Sequence, residues 1–248
     1  MATAQSELLE VLDGVEGWFS PEQVERLAAR AAEVPDEGRI VEIGSFRGRS
    51  TIVAARSATD SVEIVAIDPH AGNDRGPQEI EGFEDEAAED NVVFNKNLAK
   101  AGVSERVRHV RKFSTDAHDD VEGPIDVLHI DGAHRFAPAR DDIKAWGDRV
   151  AKGGSMLIHD SFSSVGVTLA IFSTLLFSGR WRYVGRSRSL AEYRAEPVSG
   201  LGRVANVGRQ LAQVPWFVRN VVIKALLVVK LGSVARLLGH PQGDAWPY

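Results

Sequence analysis

Four short runs of branched apolar residues punctuate the first two thirds of the chain. They are RIVEIG from Arg39, VEIVAID from Val62, IDVLHID from Ile125 and SMLIHD from Ser155, and each ends in Gly or Asp. Runs of this length and composition read as strands buried on both faces of a parallel sheet. Between the last two, Phe136, Ala139, Ile143, Trp146 and Val150 recur at helical spacing, and Arg140, Asp141, Asp142 and Lys144 are expected to face water. Upstream, SPEQVERLAARAA places Ser20 as an N-cap, Pro21 at the first helical position and Gln23 for a capping box, with Val24, Leu27, Ala28 and Ala31 as the apolar face. Strands alternating with helices predict an α/β fold with a Rossmann-like, doubly wound, mostly parallel sheet. RWRYVGR and SLAEYR, split by a turn near Ser187, add an antiparallel edge hairpin.

The charge pattern divides the 248 residues in two. Residues 1–196 carry 23 basic against 34 acidic side chains, and residues 197–248 carry six basic against one acidic. The first part is read as one catalytic domain and the second as a basic, apolar C-terminal helical extension. An acidic body excludes general nucleic-acid binding, which needs a basic surface. Ser161–Gly179 is uncharged, but seven Ser or Thr residues interrupt it, so it reads as a core helix. The apolar stretch from Val214 to Gly239 holds Arg219, Lys224, Lys230 and Arg236, too many charges for a transmembrane segment. Their offsets turn them around the helix axis by roughly 140°, 240° and 240° at about 100° per residue. A helix lying on a membrane gathers its cations on one side. Packing on the body or in a homodimer is therefore expected, with peripheral membrane association as the alternative. There is no cysteine, and MATAQSELLEVLDG lacks the pattern of a signal peptide, so a cytoplasmic setting is expected.

The chemistry gathers where strands end. VEIGSFRGRST runs from a strand through Gly44 and Gly48 into a helix, so backbone amides can approach a ligand. About 24 residues on, VAIDPH ends a strand in Asp68, a residue type that accepts hydrogen bonds from ribose hydroxyls. A dinucleotide fingerprint needs GxGxxG, but Phe46 occupies its middle glycine and Glu42 would repel a pyrophosphate. A cationic nucleoside, S-adenosylmethionine, fits better, with Glu42, Gly44, Ser45, Ser50 and Asp68 as cofactor residues and Ser114, near a third strand end, as an adenine contact. Asp131, His134, His159 and Asp160 meet at two neighbouring strand ends, and two carboxylates with two imidazoles there point to metal chemistry. Mg²⁺ suits the carboxylates, and Mn²⁺ tolerates an imidazole better. His129, in mid-strand, reads as a core histidine, and His70 faces either substrate or solvent. The Gly- and acid-rich segment 70–90 is a solvated loop or a lid over the ligand.

The ordered set EGWFS, VEIGSFRGRST, VAIDP, IDVLHIDGAH, DDIKAW and KGGSMLIHDS resembles the class I S-adenosylmethionine-dependent O-methyltransferases, above all the small metal-dependent branch acting on sugars of macrolides and aminocoumarins. It covers roughly residues 16–194. In length and extension the chain is also similar to the methylmannose polysaccharide 1-O-methyltransferases. The resemblance implies Asp131, His159 and Asp160 as metal ligands, His134 as general base, and a sugar hydroxyl as acceptor, the 1-hydroxyl of a mannoside among the choices. His159 departs from the branch, where an acid is usual. Trp18 is implied as a pocket wall, its other reading being a hydrophobic staple for the following helix. Rival functions are methylation of a phenolic or other natural-product hydroxyl, a nicotinamide-dependent oxidoreductase, and a noncatalytic nucleoside-binding protein.

Overall fold

The computed structural model describes residues 2–72 and 84–240. Its strands are β1 (Arg39–Ile43), β2 (Glu63–Ile67), β3 (Val107–Val110), β4 (Ile125–Ile130), β5 (Val150–Ile158), β6 (Trp181–Ser187) and β7 (Leu190–Ala195). They form one sheet in the order β3-β2-β1-β4-β5-β7-β6. The first five run parallel, and β7 enters antiparallel between β5 and the edge strand β6. This is the doubly wound sheet with an edge hairpin that the apolar pattern predicts.

Nine helices flank it among the described residues: α1 (Ala2–Val11), α2 (Pro21–Ala31), α3 (Arg49–Ser57), α4 (Glu84–Lys100), α5 (Phe136–Ala145), α6 (Val165–Thr174), α7 (Gly200–Leu211), α8 (Val214–Val228) and α9 (Gly232–Leu237). Because side chains alternate along a strand, Ile40, Ile64 and Leu157 share one core with Leu27, Ile52 and Phe94 of α2, α3 and α4. Val41, Leu128 and Met156 share the other with Ile143 and Ile171 of α5 and α6. Each such side chain contributes about 1.5–3 kcal/mol when fully buried.

The capping box at Ser20 and Gln23 forms as expected. The residue before the cap is Phe19, which is buried, so Phe19 and not Trp18 is placed to staple the helix. Asp142 does not face water. It is buried and accepts the Ser114 hydroxyl at 2.5 Å, because the loop after β3 crosses that side of α5. Val150 begins β5, which starts five residues before the apolar run at Ser155. Of the segment 70–90, the acidic helix start belongs to α4, and the lid reading falls on residues outside those described.

The C-terminal helices invert the usual pattern. Asn206 and Gln210 of α7 and Asn220 of α8 are buried, and they hydrogen-bond the body. Asn206 accepts from the Tyr183 amide at 2.8 Å and donates to the Trp181 carbonyl at 3.0 Å, and Asn220 donates to the Phe162 carbonyl at 3.0 Å. The opposite side exposes valines and leucines. By length and composition Gly200–Val228 is apolar enough to cross a membrane, which the charge count from Val214 onward does not anticipate. Replacing Asn206 by Ala orphans a buried donor and a buried acceptor, so stability is expected to fall by about 1–3 kcal/mol. The urea midpoint measures this.

Candidate functional site

The carboxyl edge of the sheet is built by backbone hydrogen bonds that continue past the strand ends. Asp68 N donates to Val110 O at 3.2 Å, Gly44 N to Ile67 O at 2.9 Å, Asp131 N to Ile43 O at 2.7 Å and His159 N to Ile130 O at 2.8 Å. Asp68, Gly44, Asp131 and His159 therefore stand in a row, and the strand order reverses between β1 and β4, in the middle of it. Open α/β sheets bind ligands at such a reversal. Four non-glycine residues with positive φ lie along this edge: Phe46 (45°), His70 (46°), Asp160 (54°) and Phe162 (56°). Each costs on the order of 1 kcal/mol, a strain that clusters at functional sites.

On the cofactor side, the Asp68 Oδ2 accepts from the Ser45 and Phe46 amides at 2.8 and 2.9 Å, and Oδ1 accepts from the His70 amide at 2.8 Å. The carboxylate thus holds the glycine turn with Oδ2 accepting twice, and Oδ1 keeps further acceptor capacity. Glu42 points from β1 onto α3, where it accepts the hydroxyls of Ser50 and Thr51 and lies 2.9 Å from His129 Nδ1. Glu42 and His129 are register partners on the same face, both buried. Glu42 and Ser50 are in this arrangement turned toward each other beneath the turn. At Gly44 (φ 82°) a Cβ would lie 2.2 Å from the Asp131 carbonyl oxygen. The missing side chain makes room for the end of β4. His70 does not face solvent: it is buried, with Nε2 2.8 Å from the Phe46 carbonyl. Ser114 lies beyond β3 with its hydroxyl on Asp142.

The structure brings the four predicted strand-end residues together. His159 Nδ1 lies 3.0 Å from Asp131 Oδ1 and 3.4 Å from Asp160 Oδ2, and His134 Nε2 lies 2.8 Å from Asp160 Oδ2. Ligand atoms of Asp131, His134 and Asp160 fall within 4.8 Å of one another. His159 Nε2 faces the Trp18 carbonyl at 3.1 Å, and a carbonyl only accepts, so Nε2 carries a proton. Nδ1 then meets two carboxylates either protonated or bound to a cation. Sequence reasoning misses this carbonyl, because residues 12–19 arrive through Arg49, which donates to the Leu12, Val15 and Phe19 carbonyls. It also misses Gly166, where a Cβ would lie 2.2 Å from the His134 carbonyl oxygen. The Trp18 indole is two-thirds exposed, its ring 5.4 Å from that of Phe46.

Burial opposes charge on His159, but the Asp131 and Asp160 carboxylates outweigh it and hold the imidazole well above its usual 6.5. At Asp160 burial is likewise outweighed, by the His159 charge and the His134 and His159 hydrogen bonds, which hold the carboxyl well below its usual 3.8. His134 is raised, its hydrogen bond to Asp160 overcoming burial. A space of about 10 Å³ beside Asp131, His134 and His159 is lined otherwise by apolar side chains, among them Ile130, Ile143, Ile158 and Val167.

Residues 41–161 match the family model described as a methyltransferase domain. The uncharacterized protein R132 of Acanthamoeba polyphaga mimivirus is 28% identical over 130 residues, 50% of this chain and 52% of its own length. The chain thus spans about half of that curated relative. Among solved structures, the O-methyltransferase NovP superposes with a TM-score of 0.57 at 17% identity, covering 71% of this chain and 81% of that one. The O-methyltransferase from Bacillus cereus, solved in complex with SAH, gives 0.53 at 16%, covering 77% and 89%. At these identities the likeness is one of fold.

In chelator-treated protein the His159 pairing stabilises fully below pH 6.5 and is lost as pH rises through the raised imidazole value. The Asp160 contribution is full above pH 3.8 and is lost as pH falls through the lowered carboxyl value. The stability difference between wild type and His159→Gln is therefore expected to be largest from about pH 4 to 6.5 and to shrink at higher pH. Denaturant midpoints across that range measure it.

Proposed function

We propose that this chain, whose residues 41–161 match the methyltransferase-domain model, is a class I S-adenosylmethionine-dependent methyltransferase that moves a methyl group to a hydroxyl oxygen. The acceptor class is a sugar, the 1-hydroxyl of a mannoside being one choice in polysaccharide biosynthesis, and a divalent cation assists. The catalytic unit is residues 1–196, working in the cytoplasm. The observation that carries the reading is the convergence of Asp131, His134 and Asp160 beside the glycine turn. A nicotinamide oxidoreductase is disfavoured by the family match together with Phe46 and Glu42 in the turn.

S-adenosylmethionine supplies an electrophilic methyl on a sulfonium. Asp68, its oxygens oriented by three backbone amides, has acceptor capacity left for ribose hydroxyls. Gly44 and Ser45 line the turn, Glu42 with Ser50 buttresses it from below, and Ser114 is the candidate adenine contact. A bound divalent cation favours the alkoxide form of a hydroxyl. The donor set fits one: Asp131 and Asp160 offer hard oxygens, and His159 offers Nδ1 while Nε2–H anchors to a backbone carbonyl, the usual support of a metal-bound histidine. An imidazole among the ligands favours Mn²⁺ beside Mg²⁺. His134, its side chain 42% exposed, stands at the open side of the cluster as the proton acceptor.

Release of S-adenosylhomocysteine, measured against mannosides, phenols and glycosylated natural products with and without Mg²⁺ or Mn²⁺, tests donor, acceptor and metal together. Methylation of phenols alone would replace the sugar reading. Asp131→Ala and Asp160→Ala are expected to abolish turnover and metal affinity while cofactor affinity stays within a few fold. Full activity after exhaustive chelation would sink the metal role. His134→Ala is expected to lower kcat by about 10² to 10⁴, the usual contribution of a general base. An unchanged rate and pH profile would remove it from the mechanism.

A further inference from the structure

The outward side of α7 and α8 is apolar, while the inward side carries the amides. Leu201, Val204, Leu211, Val218, Val222 and Val229 are all exposed, Leu201 to 87% and Val204 to 68%. They fall on two positions of a seven-residue repeat, so they share one side of the helix pair, with Gly208 and Pro215 set between them. A patch of this extent on a water-facing surface marks an interaction site.

The charges beside it share one sign. From Pro197 to Gly243 there is no Asp or Glu. Folding uses some of the cations internally: Lys224 donates to the Ser163 carbonyl at 3.0 Å, Arg219 donates to the Leu238 carbonyl at 2.7 Å and packs on Trp216, and Arg203 reaches the Phe177 carbonyl. Arg209, Lys230 and Arg236 remain exposed, their side chains with no hydrogen bond or ion pair among the described residues. The spread of cations around the helix axis, which argues against a membrane surface when all are counted, is thus reduced by the inward ones.

We propose that this face docks on an anionic lipid surface, the helix pair lying in the interface with its valines and leucines in the lipid and its free cations on the headgroups. A spanning arrangement would take Asn206, Gln210 and Asn220 from the body groups they bond. A second copy fits less well. Gly208 and Pro215 interrupt the seam, no acidic residue is present to pair across it, and two basic tails would repel. The body, 23 basic against 34 acidic residues, is repelled by the same surface that attracts the tail, which orients the molecule. The inward side of α8 also bonds the carbonyls of Phe162 and Ser163, two and three residues after Asp160, so the helix that carries the docked face packs beside the candidate site.

The test is flotation of the full chain with phosphatidylcholine vesicles, with and without phosphatidylglycerol, at low and high salt. Flotation with the anionic vesicles alone, released by salt, is expected. Two variants are compared: Leu201→Ser with Val204→Ser and Leu211→Ser, and Arg209→Gln with Lys230→Gln and Arg236→Gln. Each should weaken binding roughly tenfold or more, with the thermal midpoint as the check on folding. No flotation at low salt, equal binding to neutral vesicles, or full binding by both folded variants would overturn the proposal. So would a dimer in light scattering that the serine variant dissociates while vesicles bind neither form.

Discussion

Two carboxylates end neighbouring parallel strands, and the fold gives them no way to move apart. Strands in a sheet lie about 4.8 Å from each other, and the pairing of Ile130 with Ile158 brings Asp131 and the His159–Asp160 pair to one spot. Like charges at that spacing require a positive partner. His159 meets the requirement from within the chain, donating through Nε2 to Trp18 and turning Nδ1 to both acids. Much of the surrounding architecture serves this contact. Arg49 holds the segment that supplies the Trp18 carbonyl, Asp160 accepts a left-handed backbone to aim its oxygens, and Gly166 lets the His134 loop close against α6. Under the proposed function His159 also sets the terms for a metal, since a cation in the cluster would have to displace the proton on its Nδ1.

How far the chain can be read without coordinates follows from the range of the interactions involved. Strands at Arg39, Val62, Ile125 and Ser155, the capping box at Ser20 and the edge hairpin are local patterns, and each stands where its residues put it. The convergence of Asp131, His134, His159 and Asp160 was legible because strand order in a doubly wound sheet is itself constrained. Features that depend on a distant neighbour were not. Asp142 looks like a surface acid on its helix until the loop after β3 covers it. His70 follows a strand end, yet a left-handed turn folds it under Phe46. The N-terminal half of β5 passes through Lys152, Gly153 and Gly154, residues with no strand signature, which form an irregularity between the Val150 pairing with Ile125 and the Ser155 pairing with Val127.

The C-terminal extension shows the limit of hydrophobicity as a guide to burial. Its amphipathic pattern is plain, and the usual rule turns the apolar side inward. Here Asn206, Gln210 and Asn220 occupy the inner side because the body presents unpaired backbone groups at Trp181, Tyr183 and Phe162. An orphaned buried amide or carbonyl costs about 1–3 kcal/mol, and the inward amides remove that cost at Trp181, Tyr183 and Phe162.

Gly44 joins the two halves of the edge. With 2.2 Å between its virtual Cβ and the Asp131 carbonyl, the turn that faces the donor and the strand end that carries a carboxylate cannot shift independently. In thermodynamic terms, any ligand that tightens one side alters the affinity of the other by the same factor, because linkage between binding sites is reciprocal. Under the proposed function, donor occupancy and cation occupancy form one coupled equilibrium that runs through this contact.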